Sequence, residues 1–186
     1  MTRISDGVAV PSELPVLDIE YVPTPGPVVD KMLEVANLDE RDVLYDLGCG
    51  DGRMVIEAAR QYGARAVGFD LDPQRLAEAR NNVAAAGVDG LVRIEHANIF
   101  TVDLRPATVV TLYLLPSINV RLVPQLQAMA AGARIISHDY DITGFEFDDL
   151  WVVVAENHRK HPRLREHAVL KWTTPLERTR PGEREI

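Results

Sequence analysis

The stretch Val43-Leu44-Tyr45-Asp46-Leu47-Gly48-Cys49-Gly50-Asp51-Gly52-Arg53-Met54 decides the fold. Val43–Leu47 is a short apolar run of the kind a buried strand shows, and the glycine cluster after it is a turn. From Met54 to Gln61 the apolar residues Met54, Ala58 and Ala59 return at helical spacing. Strand, tight turn and helix in so short a stretch make a β–turn–α unit.

Working outward, the unit repeats. Ala66–Asp70 reads as a second strand, and Pro73 then opens a helix whose Leu76, Ala79, Val83 and Ala86 face inward before Gly87 stops it. Leu91–Glu95 and Thr108–Leu115 are the third and fourth strands. Ser117 is placed to cap a helix running to about Ala131 and kinked at Pro124, and Gly132 ends it ahead of a fifth strand, Ala133–His138. Upstream, Pro23, Pro25 and Pro27 precede a helix over about 27–37 carrying Val28, Val29, Met32, Leu33 and Ala36. After Asp149 the pattern changes: Trp151–Glu156 and Ala168–Thr173 are strand-like with no helix between them, which predicts an antiparallel hairpin. Alternating strands and helices with short turns require a mainly parallel sheet covered on both faces. Residues 1–20 are expected to form an arm over the domain at 21–175, and 176–186 a polar tail.

At 186 residues the chain suits one domain, and 46% hydrophobic with 26% charged residues excludes collagen-like, coiled-coil and largely disordered classes. Its 20 Lys and Arg against 28 Asp and Glu give a net charge of −8, which argues against a broad grip on phosphate backbones and suits a cationic substrate. Cys49 is the single cysteine, so no intrachain disulfide is expected and a reducing, cytoplasmic setting is. Neither an apolar leader nor a run long enough to cross a bilayer is visible, so no membrane partner is expected. No internal repeat is apparent.

Glycines between a strand and a helix let a ligand approach closely where backbone N–H groups face outward, though the same glycines also serve a bare sharp turn. Two features favour a ligand. Asp70 ends the second strand about twenty residues on, where a carboxylate can accept both hydroxyls of a ribose. The dinucleotide pattern would need a glycine where Arg53 stands, and Asp46 and Asp51 put negative charge where a pyrophosphate would want none. A ligand bearing an amine and a sulfonium tolerates those carboxylates, which points to S-adenosylmethionine rather than NAD.

Tyr21-Val22-Pro23-Thr24-Pro25, Asp46 to Arg53, Gly68-Phe69-Asp70 and Ala107–Pro116 together resemble the seven-strand class I methyltransferases, over about residues 20–175. The N-terminal motif and Leu112-Tyr113-Leu114-Leu115-Pro116 resemble the small protein-lysine methyltransferase branch, which includes archaeal lysine methyltransferases and the mitochondrial enzyme acting on the ATP-synthase c subunit. The resemblance implies a Rossmann-like, open, mainly parallel seven-stranded sheet with helices on both faces. It implies that Tyr21 and Thr24 help hold the cofactor, Thr24 at its amino-acid end, that Gly48 and Gly50 line it, and that Asp70 takes the ribose. Asn98 would lie beside the adenine where an aspartate is expected; its plainer reading is a turn former. Asp72 in Asp72-Pro73 also reads as a helix cap.

Ligands of open α/β sheets bind beyond the carboxyl ends of the strands, which is where Tyr113–Pro116 falls. The carbonyls of Leu114 and Leu115 can accept from an amine and aim its lone pair, and Tyr113 can offer a cation–π face; the same residues also read as a buried core strand. A protein lysine is the expected acceptor, with an RNA or small-molecule amine, or a binding protein without turnover, as alternatives. His138, in Ser137-His138-Asp139, is either a base or a hydrogen-bonded structural histidine. His158, His161 and His167 bracket a basic loop, read as a solvated hairpin tip rather than a metal site.

Overall fold

The computed structural model describes residues 22–156 and 163–179. The expected arm and Tyr21, together with His158 and His161, lie outside the described residues.

Seven strands form one sheet in the order β3-β2-β1-β4-β5-β7-β6. They are β1 (Val43–Leu47), β2 (Arg65–Asp70), β3 (Val92–His96), β4 (Val109–Leu112), β5 (Arg134–His138), β6 (Asp149–Glu156) and β7 (Leu164–Thr173). The first five pair in parallel, and β7 returns antiparallel between β5 and β6. Four α-helices, α1 (Gly26–Ala36), α2 (Arg53–Tyr62), α3 (Pro73–Ala86) and α4 (Pro116–Gln127), cover the two faces. On one face α1, α2 and α3 bury Val29, Leu33, Val55, Ala58 and Val83 against Leu44, Val109 and Ile136. On the other, α4 buries Ile118, Leu122 and Leu126 with Leu47, Val110, Ile135 and Trp172. The sheet is two-sided because its central strands are apolar at nearly every position, as β1 and β4 are.

Several boundaries moved, each for a physical reason. β4 stops at Leu112, so Tyr113–Leu115 is a connector rather than strand. Leu115 caps α4 with its backbone and Pro116 fills the first helical turn, where a missing N–H costs nothing; Ser117 lies inside the helix, exposed, and is not the cap. The helix ends at Gln127, short of Ala131. In α3, Leu76, Ala79 and Val83 are buried as expected, but Ala86, in the last turn, is exposed. Asp72 does cap α3, its carboxylate accepting the Gln74 N–H at 2.8 Å. Glu177–Thr179, read as part of a polar tail, instead hydrogen-bonds back to 144–146 and forms the bridge Phe145↔Arg178.

Candidate functional site

The carboxyl ends of β1, β2, β4 and β5 gather the candidate residues at one edge of the sheet. The glycine turn after β1 is held mainly by β2. Gly48 and Cys49 N–H both donate to the Phe69 carbonyl (2.8 and 2.9 Å), Gly50 N–H donates to Asp70 Oδ2 (2.9 Å), and Gly52 N–H to the Cys49 carbonyl (2.9 Å). The expected outward N–H groups are therefore mostly spent on β2, and the turn is no anion cradle. Two glycines are needed for shape. Gly48 has φ +85°, and a Cβ there would sit 3.2 Å from Leu114 Cδ2; Gly52 has φ +82° and lies as close to Ala79 of α3.

Carboxylates dominate what the turn presents. Asp46, next to last in β1, is buried, and its Oδ1 accepts from Thr111 Oγ1 at 2.7 Å. Burial pushes its carboxyl up to about 7 against that hydrogen bond, with Asp70 and Asp51 adding to the rise. Arg53 neutralises Asp51 (Nη2 to Oδ2, 2.6 Å) and donates to the Thr24 carbonyl at 2.7 Å, tying the segment before α1 to the turn. Asp70 is half-buried and accepts from Gly50, Leu71 and Asp72 N–H. Two oxygens with about four lone-pair sites leave one, on Oδ2, for a ribose hydroxyl beside three donors. Asn98 makes a turn, its Oδ1 accepting from Phe100 N–H at 3.0 Å ahead of a short 3-10 helix over Ile99–Thr101; its –NH2 is what it has left for a base. Cys49 is buried under Gly68 and its thiol pushed far up by burial, so it is no nucleophile. A buried carboxyl short of a cation and a carboxylate open to a hydroxyl suit a cationic amino-acid adenosyl ligand better than a diphosphate.

The connector after β4 borders this cleft. Leu114 is half-buried against Gly48, and Tyr113 is half-buried over His138, with ring centroids 3.9 Å apart and planes 30° apart. Tyr140 stacks at 6.0 Å from Tyr113. The Leu115 carbonyl is not available to an amine: it accepts the Ile118 and Asn119 N–H groups that start α4 (2.8 and 3.1 Å). Of the two expected carbonyls, Leu114's is the one not committed to that cap. A groove of about 490 Å³ between α1 and α2 touches the turn at Asp51 and Arg53 but contains neither Asp70 nor Asn98.

His138, at the end of β5, is fully buried and is not itself exposed to a substrate. Its Nδ1 lies 3.2 Å from Thr24 Oγ1 and its Nε2 2.8 Å from His167 Nδ1. His167 is thus a buried β7 residue, not part of a solvated hairpin tip. Asp139, at φ +61°, places Oδ2 3.3 Å from His138 Nε2 and 3.7 Å from His167 Nδ1, while Arg165 binds the same oxygen and Ala168 N–H the other at 3.0 Å. Burial lowers His138 to about 4 and lowers His167 as well, so both rings are neutral at pH 7. Burial raises the Asp139 carboxyl, but Arg165 and His138 outweigh it and leave it low. These two imidazoles and the carboxylate are the right types for a metal. A 2.8 Å nitrogen pair is however a hydrogen bond, since tetrahedral ligands about 2.0–2.1 Å from zinc sit some 3.4 Å apart, and Arg165 already holds the carboxylate. Sequence reasoning missed Asp139, Tyr140, Arg165 and the role of His167; only the adjacency Ser137-His138-Asp139 hinted at them.

Similarity to known proteins agrees with this geometry. The model of the ANTKMT methyltransferase domain matches residues 46–149. A protein-lysine N-methyltransferase of Saccharolobus islandicus (strain REY15A) is 43% identical over 129 residues, 68% of this chain and 80% of that protein. The adenine nucleotide translocase lysine N-methyltransferase of Mus musculus is 34% identical over 123 residues, 65% of this chain but 53% of that longer protein. Among solved structures, an RNA methyltransferase from Salinibacter ruber in complex with S-adenosyl-L-homocysteine is 44% identical, covers 89% of this chain and 100% of that one, and superposes with a TM-score of 0.72.

Proposed function

The chain belongs to the ANTKMT methyltransferase domain family and is an S-adenosylmethionine-dependent methyltransferase, and from that membership we propose that it methylates the side-chain amine of a protein lysine. The observation that carries the reading is the connector after β4, where half-buried Leu114 packs on Gly48 and half-buried Tyr113 stacks on His138 beside the glycine turn. The cofactor, when bound, supplies a methyl group on a sulfonium, open to in-line displacement. Alignment and desolvation are the protein's part, on a scale of about 7–11 kcal/mol. A lysine ammonium with a reference pKa near 10.4 needs about 4–5 kcal/mol to lose its proton at pH 7. Burial beside Tyr113 and Leu114 lowers that cost, and the Leu114 carbonyl can accept one remaining N–H and turn the lone pair inward.

On the donor side we assign Asp70 to the ribose, Asp46 and Thr24 to the amino-acid end with Gly48 and Gly50 lining it, Asn98 to the adenine edge, and Tyr21 to closing the pocket. The acceptor side is Tyr113 and Leu114. The net charge of −8 and the relatives acting on protein lysines favour a protein over RNA. The name of the Salinibacter protein is the observation that favours RNA. Within the described residues no helix is long and apolar enough to cross a membrane, and the single buried cysteine suits a cytoplasmic setting.

Incubation with isotopically labelled S-adenosylmethionine and cell extract separates the readings. Label lost to protease and mapped to lysine by mass spectrometry is expected; label lost to nuclease would assign RNA, and label surviving both would assign a small amine. A Tyr113→Ala or Leu114→Ala variant that methylates as fast as the parent would remove these residues from the site.

A further inference from the structure

Three buried or half-buried groups that the methyl-transfer scheme does not use, His138, His167 and Asp139, form one connected unit beneath the site with the exposed Arg165. We infer that this unit positions the Thr24 hydroxyl, fixing it as a hydrogen-bond acceptor turned toward the ammonium end of the methyl donor. The inference rests on the assignment of Thr24 to that end of the cofactor and goes beyond it by naming what orients the hydroxyl.

The distances favour one arrangement of the protons. Asp139 Oδ2 is nearer to His138 Nε2 (3.3 Å) than to His167 Nδ1 (3.7 Å), so of the two nitrogens sharing the 2.8 Å contact, His138 Nε2 carries the hydrogen. His167 Nδ1 accepts it. The proton of the neutral His167 ring then sits on Nε2, which is buried without a hydrogen bond of normal geometry; the backbone of Ala155 acts on this ring in the sense that favours a proton. With Nε2 protonated, neutral His138 has a bare Nδ1, and the one way to satisfy it at 3.2 Å is for the Thr24 hydroxyl to donate inward. The hydroxyl oxygen is left with lone pairs alone to offer the cleft. Such an oxygen accepts from an ammonium and repels a carboxylate.

The supports are rigid. Asp139 occupies a left-handed conformation that asparagine and aspartate tolerate best, and it is pinned by the Ala168 N–H and by Arg165, whose guanidinium also reaches the Tyr113 hydroxyl. Tyr113 in turn stacks on the His138 ring. One connected unit therefore braces Thr24 on the donor side and Tyr113 on the acceptor side. His138, His167 and Asp139 are positioning residues that act through Thr24; none of them reaches the reacting atoms.

A double-mutant cycle tests this, read by calorimetry with S-adenosylhomocysteine and with its analogue lacking the α-amino group. Thr24→Val should weaken S-adenosylhomocysteine roughly ten- to a hundredfold, the range for a hydrogen bond to a charged group. His138→Leu should weaken it about tenfold in the parent and less than about twofold in the Thr24→Val background, because the two changes remove one interaction. Discrimination against the deaminated analogue should shrink in both single variants. If Thr24→Val leaves the affinity unchanged, the assignment of Thr24 falls and the relay with it. If Thr24→Val weakens binding but His138→Leu does not, or if the two losses multiply, the assignment of Thr24 stands and the relay alone is overturned. Should His138→Leu not fold, His167→Met, which removes the acceptor for the His138 proton, takes its place under the same criteria.

Discussion

Replacing Asp46 by asparagine should stabilise the apoprotein above neutral pH while loosening its hold on the methyl donor. Asp46 is buried in β1 with Thr111 as its hydrogen-bond donor, and burial raises its carboxyl from 3.8 to about 7. A group whose folded-state pKa lies above its unfolded one favours folding while protonated. Its contribution is thus fully present below pH 4 and is lost as pH rises through 7. At about 1.4 kcal/mol per pH unit, the full cost of the ionised form is on the order of 4 kcal/mol, of which about 2–3 kcal/mol falls between pH 5 and pH 8. Asparagine keeps an oxygen for Thr111 and does not titrate. The cost of burying its –NH2 is the same at both pH values, so the change in the gap between the two proteins isolates the carboxyl. Urea denaturation of both apoproteins at pH 5 and pH 8 should show Asp46→Asn gaining about 2–3 kcal/mol on the parent between them. Calorimetry of S-adenosylhomocysteine near pH 7, in two buffers of different ionisation enthalpy, should show proton release by the parent and less by the variant. A stability gap that is equal at both pH values would refute the reasoning, because it would mean that the buried carboxyl does not ionise in this range.

Gly48→Ala should cost about 1–2 kcal/mol of stability from the left-handed backbone alone, and should raise the KM for the methyl acceptor by displacing Leu114, whose Cδ2 sits 3.2 Å from the new Cβ; denaturation and steady-state kinetics check the two parts. At the opposite edge of the sheet, Arg134 pairs with the buried Asp42 and donates to the Ala36 and Asn37 carbonyls. Arg134→Met should therefore cost about 3 kcal/mol by stranding Asp42, while the folded fraction binds S-adenosylhomocysteine with parental affinity in calorimetry.

What was legible along the chain was local. Apolar runs of five or six residues, helical spacing after each glycine or proline, and the change of pattern after Asp149 are short-range signals, and they placed every strand to within a few residues. They misjudged β4 because Leu112–Leu115 is uniformly apolar, and nothing in that run says that the Leu115 carbonyl will be claimed by α4. The charge reading of the turn was likewise local, since Asp46, Asp51 and the missing third glycine lie side by side in sequence.

The sequence by itself thus determined the layered α/β architecture, the glycine turn and the acidic character of the ligand site. Only the tertiary structure decided which groups meet there. His138 finds His167 because β7 returns antiparallel beside β5 with Val169 opposite His138, and Thr24 reaches the same ring from before α1. Asp46 differs chemically from Asp51 because one is sealed beneath the sheet edge and the other is clasped by Arg53. Strand order and burial are properties of contacts distant along the chain, and it is those contacts, rather than residue type or spacing, that set the protonation and direction of each side chain in the site.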